Sequence, residues 1–156
     1  MIGRSPALLD RAADLLAARF GPVFSRSARI PFDFTDYYQP EMGTGLVRQW
    51  VASSLQPEPD RLAEVKQTTI SLEQQLRDQS GRRQVNLDPG LLTPHNLVLA
   101  TTKNHAHRIC IGPGIYAELT LIYRHGAYQP LDWTYPDYRT RVCQEFLAAC
   151  RATLDP

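Results

Sequence analysis

The run Ile115-Tyr116-Ala117-Glu118-Leu119-Thr120-Leu121-Ile122-Tyr123-Arg124, held between Gly112-Pro113-Gly114 and His125-Gly126, constrains the fold more than any other segment. Extended chain turns alternate side chains to opposite faces, so Ile115, Ala117, Leu119, Leu121 and Tyr123 share one face. Tyr116, Glu118, Thr120, Ile122 and Arg124 share the other. The backbone of a strand this long needs partners on its flanks. Glycine-rich turns at both ends supply them as antiparallel neighbours, because a parallel partner requires a crossover of a dozen or more residues. Arg108 to Ile111 is the neighbour before, and a hairpin through His125-Gly126 into Tyr128 gives the one after. Asn96 to Thr101 reads as a further strand, buried on both faces, and Val85-Asn86-Leu87 as a short one ended by the turn Asp88-Pro89-Gly90.

Three helices accompany these strands. Ser5 is a good N-cap and Pro6 fits the first helical position. Leu8, Leu9, Ala12, Leu15, Leu16 and Phe20 then line one face until Gly21-Pro22. Only a remnant of a strand fits before this helix. Pro57-Glu58-Pro59-Asp60 opens a second helix to about Arg77, with Leu62, Val65, Thr69, Leu72 and Leu76 as its buried stripe and Lys66 on its polar side. Asp78 to Arg83 closes it as a polar turn. A last helix follows Tyr135-Pro136-Asp137-Tyr138, with Val142, Phe146, Ala149 and Cys150 inward. Between the first two helices, residues 23 to 38 read as extended, Thr35 to Gly45 as a loop, and Leu46 to Leu55 as a short helix or strand. The expected class is α+β: a mainly antiparallel sheet with about three helices, in a single layer rather than two, within one domain over residues 1–156.

Composition narrows the function. A formal net charge of +1 gives no bulk field toward nucleic acid, though a local basic patch remains open. No apolar run approaches the ~20 residues that span a bilayer, so no membrane is expected, and the N-terminus lacks a signal pattern. Cys110, Cys143 and Cys150 are odd in number and form no Cys-x-x-Cys pair, which argues against a disulfide framework and agrees with a cytoplasmic protein. No motif names a cofactor.

Four strings carry a resemblance: Phe32-Asp33-Phe34-Thr35-Asp36-Tyr37-Tyr38 through Glu41-Met42-Gly43; Asn86-Leu87-Asp88-Pro89-Gly90; Ala100-Thr101-Thr102-Lys103 with His107-Arg108; and Gly114-Ile115-Tyr116-Ala117-Glu118 followed by Thr134-Tyr135-Pro136-Asp137-Tyr138. Together they resemble the uncharacterised bacterial family known as domain of unknown function 4416, over nearly the whole chain. The resemblance implies a full strand before the first helix, shortened here, and an asparagine where Ile70 stands, in the helix holding Lys66 and Glu73. It also brings a GTP-binding label that the residues do not support. The chain has no Gly-x-x-x-x-Gly-Lys-Ser/Thr loop and no Gly-x-Gly-x-x-Gly opening a helix.

The chemistry concentrates between Lys103 and Arg108. Lys103 and Arg108 are candidate anion ligands, a point charge and a planar fork respectively. His107 is a candidate general acid–base near neutral pH, with Glu118 on the following strand as a second catalytic candidate or a structural bridge to Arg108 or Arg124. Asp36 and Tyr38, in a loop rich in aromatics, and Asp88, in its turn, complete the candidate ligand-binding set. Turn formation alone accounts for Asp88. His105 and His107 face one side if extended, as a metal pair would, but need a third ligand from elsewhere. The functional expectation is a small-molecule binding protein or enzyme with a phosphate- or carboxylate-bearing ligand at the Lys/His/Arg cluster. A protein- or RNA-interaction module, and a metalloprotein using the His-x-His pair, are the alternatives.

Overall fold

A computed structural model describes residues 1–55 and 57–154. Among them are four α-helices and eleven strands, all paired antiparallel, which is the expected α+β class. The chain groups into two compact units, residues 1–56 with 68–87 and residues 57–67 with 88–156. No described helix is long and apolar enough to cross a membrane.

In the first unit, Ile2–Gly3 (β1) sits inside a four-stranded sheet. It pairs with Val47–Arg48 (β4) on one side and Val85–Asn86 (β6) on the other, with Ile30–Pro31 (β3) beyond β4. The short strand before the first helix is therefore central to its sheet. Helix α1 (Pro6–Phe20) begins where its cap predicts: the Ser5 hydroxyl accepts from the Leu8 amide at 3.3 Å. It ends at Gly21, whose φ of 78° is left-handed. Val23–Arg26 (β2) pairs with Val51–Ser53 (β5), so residues 46 to 55 resolve as strand rather than helix. The loop from Thr35 holds a single helical turn, Gln39–Met42 (α2). Leu9, Ala12 and Ala13 of α1 pack with Met1, Leu72, Leu76, Val85 and Leu87 as the main core. Ile2, Met42 and Leu46 form a second one with Phe32 and Tyr38 against them.

The second unit is organised by β10 (Ile115–Arg124). Along one flank runs β8 (Asn96–Thr101), with β7 (Gly90–Leu92) outside it. β9 (Arg108–Gly112) pairs with the first part of β10, and β11 (Ala127–Pro130) with its last part. The hairpin turns at His125-Gly126, as expected. A register shift between Leu119 and Leu121 breaks the alternation, so Thr120 and Leu121 are both fully buried. Burial divides across both faces: Glu118 and Thr120 lie deep with Ile115 and Leu121, while Ala117 and Leu119 are only half-buried. The isoleucines of β9 face outward, Ile109 at 73 % exposure. A 3-10 turn, Pro136–Arg139, leads to helix α4 (Arg141–Arg151), capped by the Thr140 hydroxyl, which accepts from the Cys143 amide at 3.3 Å. Its buried stripe is Cys143, Phe146, Leu147 and Cys150, and Ala149 is exposed where an inward position was expected.

Helix α3 (Leu62–Gln75) gives residues to both units. Its buried positions are Leu62, Ala63, Lys66, Thr69, Leu72 and Glu73, continued by Leu76 just beyond it. Two of these are ionisable. Val65 is only half-buried, and Lys66, expected on the polar side, is on the buried one.

Candidate functional site

The second unit gathers its ionisable groups around one carboxylate. Glu118 stands directly across from Arg108 in the β9–β10 ladder, so the two side chains leave the sheet on the same face. Arg108 Nε donates to Glu118 Oε2 at 2.7 Å, with the two side chains 3 % and 1 % exposed. His107 reaches the same oxygen from the end of β9, its Nε2 3.0 Å away. Thr120, two residues along β10, places its hydroxyl 3.2 Å from the other oxygen, Oε1. A buried carboxylate is tolerable only with such partners.

The guanidinium is equally engaged. Arg108 Nη1 donates to the Lys103 carbonyl at 2.9 Å, and Nη2 to the Tyr135 hydroxyl at 2.6 Å. Each nitrogen of the fork therefore has an acceptor within the protein. Lys103 is fixed from behind by its own amide, which donates to the Thr101 hydroxyl at 3.2 Å. Tyr135 lies at 41 % exposure, the end of this chain of contacts that meets solvent. Its phenol is pushed above the ordinary tyrosine value, chiefly by burial. The Arg108 charge opposes that shift, and the Glu118 and Asp88 carboxylates add to it.

Asp88 is drawn into the same electrostatic neighbourhood by that influence on Tyr135. It is more than a turn residue: Lys66 Nζ donates to its Oδ1 at 2.9 Å, and the lysine side chain is only 5 % exposed. Trp133 covers His107. The rings stack with centroids 4.9 Å apart and planes 13° from parallel, and the indole N–H donates to the Leu119 carbonyl at 2.8 Å. His105 stacks with His107 as well, centroids 5.8 Å apart and planes at 21°.

Of the sequence candidates, then, His107, Arg108 and Glu118 are in contact, Lys103 joins them through its carbonyl, and Asp88 is held by Lys66. Asp36 and Tyr38 belong to the other unit. There Asp36 accepts from the Gln39 side-chain amide, and Tyr38 packs edge-on against Phe32 and Tyr37. Arg83 lies over the Tyr38 ring at 5.6 Å and donates to Glu41 at 2.7 Å and to Asn86 at 3.1 Å. His105 and His107 stack their rings, and Nε2 of His107 is directed at Glu118. Among the described residues no three His, Cys, Asp or Glu side chains gather as metal ligands would.

Sequence reasoning missed Lys66, Trp133 and Tyr135. Lysine on a helix is exposed by default, and nothing local to Lys66 announces a carboxylate 22 residues away. The signal for Tyr135 was present: its string was among those carrying the family resemblance, but its partner Arg108 lies 27 residues earlier.

No curated protein and no solved structure matches the chain. One family model does, across residues 1–154, and with that span the protein belongs to the family described as Domain of unknown function (DUF4416).

Proposed function

We propose that this protein binds a small anionic molecule at the Glu118 centre and exchanges a proton with it through His107. The observation that carries the reading is the shared oxygen: Glu118 Oε2 takes both Arg108 Nε and His107 Nε2. Glu118 is inaccessible, so its chemical use is to orient the imidazole. A carboxylate on one ring nitrogen fixes the tautomer and leaves the other nitrogen to act on a ligand. Arg108 offsets the charge of Glu118 and holds the Lys103 backbone and Tyr135 in place. Glu118 is thus a positioning residue, His107 the proton-handling group, and Lys103 the cation that draws the anion.

Thermal denaturation of the purified protein with inorganic phosphate, sulfate, acetate, benzoate or citrate, each against sodium chloride at equal ionic strength, tests this. A binder raises stability by mass action, by about 2.7 kcal/mol at a hundredfold excess over Kd. His107→Gln should remove the effect, read as the shift between melts of that same variant with and without the anion. If no anion exceeds the chloride control, or if His107→Gln responds as the parent does, the reading fails. The outward side chains of Ile109, Trp133 and Tyr135 favour a second use of this unit, as a surface for a protein partner. Retention of a defined partner by the parent, lost in Ile109→Lys, would favour that use.

A further inference from the structure

The strand that carries Arg108 is also an edge of its sheet. Among the described residues β9 pairs with β10 alone. We propose that this edge joins two copies of the chain in a two-fold dimer, β9 antiparallel to β9, with Cys110 facing the partner's Cys110. The dimer goes beyond the anion-binding reading and does not depend on it.

Backbone direction is the first argument. Along an antiparallel ladder, hydrogen-bonded and non-bonded pairs alternate. The Ala100 amide donates away from β10, to the Pro89 carbonyl, so its neighbours Leu99 and Thr101 turn their backbone groups toward β10. Glu118 and Tyr116, opposite them, therefore face β8, and Ala117 faces Ile109 of β9. Two contacts agree. The Arg108 amide donates to the His105 carbonyl, and the Leu119 carbonyl accepts from the Trp133 indole on the β9 flank. Cys110 and Tyr116 are then a non-bonded pair, so the N–H and C=O of Cys110 point out from the sheet. Such an edge is a template for a further strand. A copy rotated by 180° about Cys110 returns the matching acceptor and donor, which gives two reciprocal backbone hydrogen bonds.

Charge and shape favour a second copy as the occupant. Two copies bring identical charges together, and this edge has none to oppose: Arg108 is turned inward onto Glu118 at 3 % exposure. The whole chain carries a net charge of only +1. Ile109, Cys110 and Ile111 are all exposed, and the rotation sets Ile109 beside the partner's Ile111 and Arg108 beside the partner's Gly112. The other edge strands are guarded. β11 ends in Pro130, and β7 is three residues long between Pro89 and Pro94. β9 has no proline and no outward charge. Its irregularity is the register shift beyond Cys110, which lies after the residue that makes the contact.

Sedimentation velocity of the reduced protein, from low micromolar to about millimolar concentration, should show a reversible dimer. Ile109→Lys sets like charges together and should weaken it roughly tenfold or more. Cys110→Pro deletes the outward N–H and spares the bonds to β10, so it should also dissociate the dimer. Both variants should keep the parent's circular dichroism. Diamide, as thiol oxidant, should link the parent through Cys110, because facing residues lie ~5.5 Å apart at Cα, within disulfide reach. Cys143 and Cys150 are buried and should stay reduced. A parent that is monomeric throughout overturns the proposal, as does a dimer that persists in both variants. A dimer lost in both variants but without the Cys110 disulfide overturns the register.

Discussion

At the scale of single residues, the second unit rests on a buried ion pair whose removal is costly in one direction only. Glu118→Ala strands the Arg108 guanidinium at 3 % exposure, and losing one partner of such a pair costs roughly 3–5 kcal/mol. Urea unfolding should show this as a lowered midpoint with little change in slope. The double change Glu118→Leu with Arg108→Met should recover much of the loss, because each ion's desolvation offsets most of the pair's attraction. If the double variant is as unstable as Glu118→Ala, the penalty lies in packing instead. The sequence made Glu118 and Arg108 visible as ionisable residues on neighbouring strands but left their burial open. Which face of β10 is covered depends on segments far along the chain, and no alternation within ten residues reports it. Lys66 was misplaced for the same reason: Asp88, its partner, already had a local explanation as a turn former.

At the scale of elements, what was legible was whatever local chemistry determines. Both helix caps form hydrogen bonds, Ser5 to the Leu8 amide and Thr140 to the Cys143 amide. Ser5→Ala and Thr140→Ala should each cost ~1 kcal/mol in thermal or urea unfolding. Turn residues placed the β10–β11 hairpin, because left-handed backbone at His125 and Gly126 is written into a dipeptide. Misread elements are those where periodicity has more than one solution. In α4 the stripe through Val142 and Ala149 and the stripe through Cys143 and Leu147 both have helical spacing, and the second is the buried one. Residues 46 to 55 are too short for a period to show. Close approach between strands is equally invisible: a Cβ at Gly90 would lie 2.6 Å from a Leu99 methyl and 2.8 Å from the Val98 carbonyl oxygen. Gly90→Ala should therefore force β7 away from β8 and lower the melting temperature, although alanine has no other reason to harm an exposed position.

At the scale of the whole chain, acid and alkali should act on different units. In the first, the Asp78 carboxyl is drawn from 3.8 to about 2, mainly by the Ser80 hydroxyl and then by the Arg82 amide. A carboxyl lowered in the folded state adds stability above its unfolded pKa, and that stability is lost as pH falls from near 4 toward 2. In the second unit, burial lifts Tyr128 from 10 to about 12, with its hydroxyl donating to the Thr93 carbonyl at 2.6 Å. The neutral phenol is the favoured form there, so its contribution is full below pH 10 and fades as pH rises toward 12. Stability measured across pH should lose its Asp78 component in Asp78→Asn on the acid side only, and its Tyr128 component in Tyr128→Phe on the alkaline side only. Either variant altering the opposite limb would contradict the assignment. The chain's two tryptophans divide in the same way, Trp50 in one unit and Trp133 in the other. Trp133 lies face to face with His107. A protonated imidazole accepts an electron from an excited indole and quenches its light, whereas a neutral one does so far less. With Trp50 replaced by phenylalanine, the remaining emission becomes an optical gauge of the charge on His107. It should dim as that ring takes up a proton and brighten or dim again when a ligand changes the ring's charge.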